Sequence, residues 1–363
     1  GVRGFLFSGV PMYGKNFTNN NRMADTTSFE TEGQIFQPDG VKFLQEMRVA
    51  LDSVTEKTDK PMVLIADSGN FGIGIDSSDD KMMMYLGTSD RPAASLVVSR
   101  EFLKNRGWTS QRSQSSSIKD YISNYNSTNL TPTPVIALTT ATPDYQRTND
   151  VLSISATYLL PGAPILYFAS ELADVVAIDD VKKDDFRSAA VFSPKNYSNY
   201  PQNKRSVVYS NLANISDQSN LDIVNHYMMN WDGSQMADSK TYTKSVSEAK
   251  AAGKPDGIFQ LYGSLATIRA DPSFLWGEFQ WVSGFDQPGK EIFTRQAAGF
   301  KKYIVALIKD STTLKFSDVT SCKEVETVLA YPSNDNLPPK KKVDAASVYL
   351  SGKSPSVYVF KCM

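Results

Sequence analysis

Short apolar runs alternate with amphipathic stretches over the first 170 residues of the chain. From Val41 to Val54 the apolar residues recur at intervals of three and four, which predicts a helix with one buried face. Short apolar runs, typical of strands buried on both faces of a parallel sheet, lie at 2–7, where Arg3 interrupts the run, and at 62–66, 81–86, 135–138 and 165–169. Further helices are predicted at 92–105, 118–125 and 151–160. This alternation predicts an α/β fold.

The pattern changes in the second half of the chain. Residues 173–255 are polar and irregular, and we interpret them as a long insertion that packs over the strand ends. A helix is predicted at 257–270. Beyond Trp276 the apolar spacing falls towards two and Gly, Pro and Asp interrupt the runs, which indicates an antiparallel β domain. The predicted domains are 1–275 and 276–363.

Composition excludes several classes of function. The chain has 363 residues, with 38 Lys and Arg against 39 Asp and Glu, so no net field favours nucleic acid or an anionic membrane. No apolar run reaches the about 18 residues of a membrane span. Because Gly-rich phosphate loops and Cys/His metal spacings are missing from the sequence, we expect no cofactor and no metal. The chain begins without Met inside a predicted strand, so we expect a fragment or processed product whose own start lies upstream.

The cysteines and the glycosylation sequons both indicate a location outside the cytosol. Cys322 and Cys362 fall in one small region, which favours a disulfide; the alternative is two unrelated buried thiols. Five Asn-X-Ser/Thr sequons exceed the chance rate of about one per couple of hundred residues, and most lie in polar, loop-like sequence. The predicted N-glycosylation positions are Asn16, Asn126, Asn129, Asn196 and Asn214. We therefore expect an extracellular, oxidising environment.

The stretch from Val151 to Leu172 contains a predicted helix, a Pro-Gly turn, a buried strand and then an acidic residue. Its segment LLPGAPILYFASEL resembles the passage TLPGTPxxYYGDEIG, from the seventh helix to the eighth strand, of the α-amylase superfamily (glycoside hydrolase family 13). In the same order, 186–189 resembles the R(T/S)PMQW loop and 268–279 resembles LRKxxPALxxGxF. The resemblance covers nearly the whole chain. It implies strands four to eight of a (β/α)8 TIM barrel, followed by an antiparallel β-sandwich.

The same resemblance assigns positions to the catalytic groups of the family, and the residue types differ there. The family motif GFRxD matches GFLFS near the start, which puts Leu6 at the Arg and Ser8 at the nucleophilic Asp. The proton donor matches Asp67, one methylene shorter than the usual Glu, and the third carboxylate matches Asp144, without the His of the NHD motif. Retaining glycosidases need a pair of carboxyl groups. We therefore expect no amylase-type catalysis and interpret Asp67 and Asp144 as remnants or loop caps.

Within the superfamily, the heavy-chain subunit of heteromeric amino acid transporters keeps the barrel, lacks the catalytic set and lies outside the cell. The chain resembles the ectodomain of such a type II membrane protein, which implies a light-chain transporter as partner and a plasma-membrane location through an upstream segment. Strands four to eight alone would expose parallel edges and an apolar face, so the N-terminal half of the same precursor is a second expected partner. Two alternatives stay open. One is a secreted, inactive interaction or storage protein, and the other is a residual α-glucosidase that uses Asp67 and Asp144.

Overall fold

The computed structural model describes residues 3–8, 10, 38–67, 83–99, 118, 122, 135–140, 150–167, 170–172, 257–287, 289–309, 313–351 and 355–363. The chain forms two compact units. Unit 1 comprises 1–100 and 120–138, and unit 2 comprises 101–119 and 139–363. The predicted domain division after residue 275 stays a prediction.

Unit 1 is built on a parallel sheet with a helix between its first two strands. The elements are β1 (Gly4–Ser8), α1 (Pro38–Thr58), β2 (Val63–Asp67), a 3-10 helix (Met83–Leu86), β3 (Leu96–Ser99) and β4 (Val135–Thr139). The strands lie in the order β1–β2–β3–β4, and each pairs in parallel with the next along the chain. The predicted parallel α/β arrangement is therefore confirmed in this unit.

Two predicted elements between β2 and β4 are wrong. The run at 81–86, predicted as a strand, carries the 3-10 helix Met83–Leu86, which Gly87 closes with a φ of 76°. The third strand comes instead from 92–105, which the pattern predicted as a helix. A short apolar run does not distinguish strand from helix by periodicity. Strand pairing determines the structure of this segment, because Val97 pairs with Ala66 of β2 on one side and with Ile136 of β4 on the other.

Helix α1 packs by the face that its spacing predicts. Leu44 and Leu51, two turns apart, are buried. Arg48, between them, donates to Ser95 Oγ at 2.7 Å and to the Met62 main-chain oxygen at 3.0 Å. These bonds tie the helix to the segments that lead into β2 and β3.

Unit 2 begins its described part with helices. They are α2 (Val151–Leu159), α3 (Ile258–Arg269) and α4 (Pro272–Leu275), with β5 (Ala163–Ile165) and a 3-10 helix (Ser170–Leu172) between the first two. Helix α2 ends before Pro161, as predicted. The strand predicted at 165–169 lies two residues earlier, since Ala163 to Ile165 follow the Pro-Gly turn directly. Pro272 ends α3 but also opens α4, because proline fits the first turn of a helix.

The rest of unit 2 is antiparallel, as predicted. The strands are β6 (Glu278–Gln287), β7 (Lys290–Gln296), β8 (Tyr303–Ile308), β9 (Thr313–Lys315), β10 (Glu324–Tyr331), β11 (Lys342–Asp344), β12 (Tyr349–Ser351) and β13 (Ser356–Cys362). Six form a sheet in the order β11–β10–β13–β8–β7–β6, and β12 pairs with β9. One core contains Ile304, Phe316 and Phe360, all fully buried. The description of this part as a β-sandwich stays a prediction.

A disulfide joins Cys322 to Cys362, as the sequence predicted, with the Cα atoms 5.8 Å apart. It links the segment before β10 to the last residue of β13. Val325 of β10 and Cys362 of β13 are register partners. The alternative of two unrelated buried thiols is therefore excluded.

Candidate functional site

The carboxyl ends of β1 and β2 bring two of the sequence-predicted positions together. Ser8 and Asp67 are the last residues of their strands and are register partners. Neighbouring strands lie about 4.8 Å apart, so these residues meet at one edge of the sheet of unit 1. This edge is where ligands of parallel α/β sheets bind, outside the carboxyl ends of the strands.

The Asp67 side chain is largely enclosed at this edge. The residue is 8% exposed, whereas Leu6, two positions before Ser8, is 53% exposed. Leu6 pairs in register with Ile65, so the position that the resemblance matches to Arg holds an apolar side chain that reaches solvent. The paired strand ends therefore carry one carboxylate opposite a serine residue. The two-carboxylate mechanism needs both a nucleophile and a proton donor.

Several predicted positions lie outside the described residues. Asp144, the third carboxylate of the resemblance, is one of them. The others are the five sequon residues Asn16, Asn126, Asn129, Asn196 and Asn214. These assignments stay predictions.

Unit 2 contains a polar cluster that the sequence did not single out. Thr140, just past β4, hydrogen-bonds to Tyr262 of α3. The Tyr262 ring packs edge-on against that of Tyr158 of α2, with ring centroids 5.8 Å apart. Glu171, in the 3-10 helix after β5, acts electrostatically on both tyrosines. We call Thr140, Tyr158, Glu171 and Tyr262 the tyrosine cluster.

Burial dominates the electrostatics of the tyrosine cluster. It raises the pKa of Tyr262 well above the ordinary value of 10.0. The hydrogen bond with Thr140 lowers this pKa, whereas Glu171 and the ionised form of Tyr158 raise it. Burial, and then the Glu171 charge, also raise the pKa of Tyr158. Both hydroxyls therefore keep their protons in more alkaline solution than an ordinary tyrosine does. Sequence reasoning assigned the tyrosines to the core, and only the acidic residue after the strand was a signal for this cluster.

The described residues offer no group of three or more His, Cys, Asp or Glu side chains that could hold a metal ion. In the same part of the chain, no helix is both long and apolar enough to cross a membrane.

Comparison of the fold with known proteins identifies its class. A trehalulose synthase variant in complex with Tris matches with a TM-score of 0.66 and 17% sequence identity, over 99% of this chain and 66% of that one. An isomaltulose synthase variant from Erwinia rhapontici NX5, in complex with sucrose, matches with a TM-score of 0.64 and 15% identity, over 99% and 65%. The chain thus shares the fold of these trehalulose and isomaltulose synthases.

These matches concern the fold alone. An inactive trehalulose synthase variant in complex with isomaltulose is similar to the same degree, with a TM-score of 0.64 and 15% identity. The chain spans about 66% of the length of the first of these structures. No protein-family model and no curated protein matches the sequence.

Proposed function

We propose that the chain is a non-enzymatic domain with the second half of an α-amylase-type barrel, strands four to eight, and a C-terminal β-sandwich. The observation that carries the absence of catalysis is the register pair Ser8 and Asp67. The resemblance puts the nucleophile at the first position and the proton donor at the second. A serine residue cannot form the glycosyl ester of the family without a base, and the shorter Asp places its acid farther from a glycosidic oxygen than Glu would.

Turnover of glucosides tests this part of the proposal. The native protein is incubated with sucrose and with a chromogenic α-glucoside, beside matched samples of Asp67→Asn and Ser8→Ala. We expect the same background rate in all three samples, because none holds the carboxyl pair. A native rate that Asp67→Asn abolishes would show a residual α-glucosidase and contradict the proposal.

The cellular role that we propose is that of an ancillary heavy chain, which accompanies an amino acid transporter light chain to the plasma membrane. The resemblance to the transporter heavy chains supplies this role. Its support is the disulfide between Cys322 and Cys362 together with the five sequons, since both suit an extracellular, N-glycosylated domain. Deglycosylation of native material followed by peptide mapping checks the location. Unmodified Asn at all five sequons would count against it.

The transporter partnership is tested with the full precursor in cells. A candidate light chain is expressed alone, with the precursor, and with a precursor from which the present chain is deleted. We expect amino acid uptake and surface labelling of the light chain only with the intact precursor. Surface delivery that does not depend on the precursor would leave the secreted, inactive alternative. A membrane segment of about 20 apolar residues upstream of Gly1 would favour the heavy-chain hypothesis over the secreted, inactive protein.

The second proposed partner is the N-terminal half of the same precursor, which would supply strands one to three. Its support lies in β1, which pairs with β2 among the described strands and leaves Phe5 44% and Leu6 53% exposed. An exposed apolar edge strand is a site for strand addition. Mass spectrometry of native material should detect upstream peptides that co-purify with this chain. Their absence from a monodisperse, soluble sample would remove this partner.

A further inference from the structure

A cleft of about 460 Å³ lies beside the disulfide of unit 2. Its lining consists of Ser317, Cys322, Lys323, Glu324 and the segment Asp344–Ala346. All of these residues belong to the antiparallel part of unit 2, so the cleft is independent of the Ser8 and Asp67 edge in unit 1. An open cleft beside a disulfide gives small solutes a route to its sulfur atoms.

The two sulfurs of the disulfide differ in their surroundings. Cys322 is half-buried, lines the cleft and lies in the segment that precedes β10. Cys362 is 9% exposed, is not part of the lining and ends the central strand β13. Thiol–disulfide exchange requires the attacking sulfur to approach one sulfur of the pair directly, and access selects which one. The cleft therefore favours approach to Cys322.

We propose that Cys322 is a site of reversible modification by small thiols that enter through this cleft. A thiolate attacks Cys322 Sγ, a new S–S bond forms there, and the Cys322–Cys362 bond breaks. The bonding electron pair leaves on Cys362 Sγ, which takes a proton from solvent. The products are a mixed disulfide on Cys322 and a thiol on Cys362, and return attack by Cys362 restores the original bond.

The exchange does not require the sheet to unfold. The main-chain N–H of Cys362 donates to the Lys302 oxygen at 2.9 Å, and Met363 donates to the Glu324 oxygen at 3.2 Å. Strand β13 pairs with β10 on one side and β8 on the other. These ladders hold the strand in place after the covalent link opens, so Cys362 stays within reach for the return step.

The charges of the cleft set a preference among thiols. Lys323 supplies one positive charge, whereas Glu324 and Asp344 supply two negative charges. A cationic thiol such as cysteamine is therefore favoured over an anionic one such as mercaptopropionate when rates are compared per thiolate. The preference should disappear in about 1 M salt, where the screening length is about 3 Å.

The test uses the intact, oxidised protein in buffer without denaturant. It is exposed to cysteamine for short times, quenched in acid and alkylated, and then analysed by peptide mapping. We expect the cysteamine adduct on Cys322 and the alkyl group on Cys362, with a rate that does not change in urea below the unfolding transition. Adducts chiefly on Cys362, or a rate that rises with urea in parallel with global unfolding, would overturn the proposal.

A variant that fills the cleft provides a second measurement. Ala346 is exposed and lines the cleft, so Ala346→Phe narrows the entrance without removing a hydrogen bond. We expect exchange to slow by about tenfold because access limits it. The matched control is Ala298→Phe, at an exposed turn position that is not among the cleft residues. Equal rates in the two variants, at unchanged unfolding midpoints, would exclude the cleft as the route.

Discussion

Arg295 is a buried cation that joins three segments of unit 2. The residue is 1% exposed, and its guanidinium donates to the main-chain oxygens of Leu159 at 3.2 Å, Phe274 at 3.0 Å and Gly277 at 3.0 Å. Leu159 is the last residue of α2, where the carbonyl groups lack helical partners and the helix dipole favours a positive charge. The guanidinium also lies 5.8 Å from the Phe274 ring centroid.

Replacement of Arg295 by Met should destabilise unit 2 strongly. Hydrogen bonds from a charged donor contribute about 1.5–3 kcal/mol each, and the variant leaves three buried carbonyls without this donor. Because such contributions are not additive, we expect a loss of about 3–5 kcal/mol. Arg295→Lys keeps the charge but not the planar set of donors, so it should lose more than half as much.

Urea unfolding measured by tryptophan fluorescence tests this estimate. Trp276 lies between Phe274 and Gly277, whose main-chain oxygens accept from Arg295, and Trp281 lies in β6, which pairs with the strand of Arg295. With an m-value of about 3 kcal/mol per M, the Met variant should lower the midpoint by about 1 M or more. The control is Lys309→Met, which removes an exposed cation directly after β8 and should change stability by less than about 0.5 kcal/mol. Equal midpoints for Arg295→Met and Lys309→Met would refute the assigned role.

Three further predictions concern unit 2. The double change of Cys322 and Cys362 to Ser should cost up to about 4 kcal/mol in urea unfolding, because the disulfide closes a loop across 40 residues; no loss relative to the oxidised native protein would contradict this. Gly277→Ala should cost about 3 kcal/mol in the same assay, since its Cβ would lie 2.2 Å from a main-chain oxygen, whereas the control Gly263→Ala has open space and should stabilise its helix. Because Tyr262 has a raised pKa in the folded state, its contribution to the free energy of unfolding is fully present below pH 10 and should fall by about 1.4 kcal/mol per pH unit above pH 10. Tyr262→Phe should make this decrease with pH less steep. An unchanged pH dependence would exclude Tyr262 as its cause.

The parallel sheet could be predicted from sequence because its strands are short, continuous apolar runs. Helix α1 was equally clear, since Leu44 and Leu51 belong to one spaced apolar face. The prediction from the apolar pattern was wrong at 81–105, where either of two apolar runs could form the strand beside β2. The apolar pattern does not show which run pairs with β2. In the structure Val97 pairs with both neighbouring strands, so the second run forms the strand.

The candidate positions show a similar division. Ser8 and Asp67 could be placed from sequence because a parallel register brings strand ends together, once the resemblance assigns them to neighbouring strands. The tyrosine cluster could not be predicted from the sequence, because Tyr158 and Tyr262 have the spacing of ordinary core residues. Their contact depends on how α2 and α3 pack, which neither helix encodes alone. Arg295 was missed for the same reason, since its three acceptors are main-chain atoms of segments distant in sequence.

The residues that hold unit 2 together are separate from those that occupy the catalytic positions of the resemblance. Arg269 donates to the main-chain oxygens of Tyr158, Leu160 and Gly162. Arg295 donates to that of Leu159. Two buried cations therefore provide hydrogen-bond donors for the carbonyl groups at the end of α2 and in the turn after it. None of these bonds involves Ser8 or Asp67, which lie in unit 1. A fold whose stability rests on such contacts can keep its architecture while the chemistry at its strand ends changes, which is why fold likeness alone does not assign an activity.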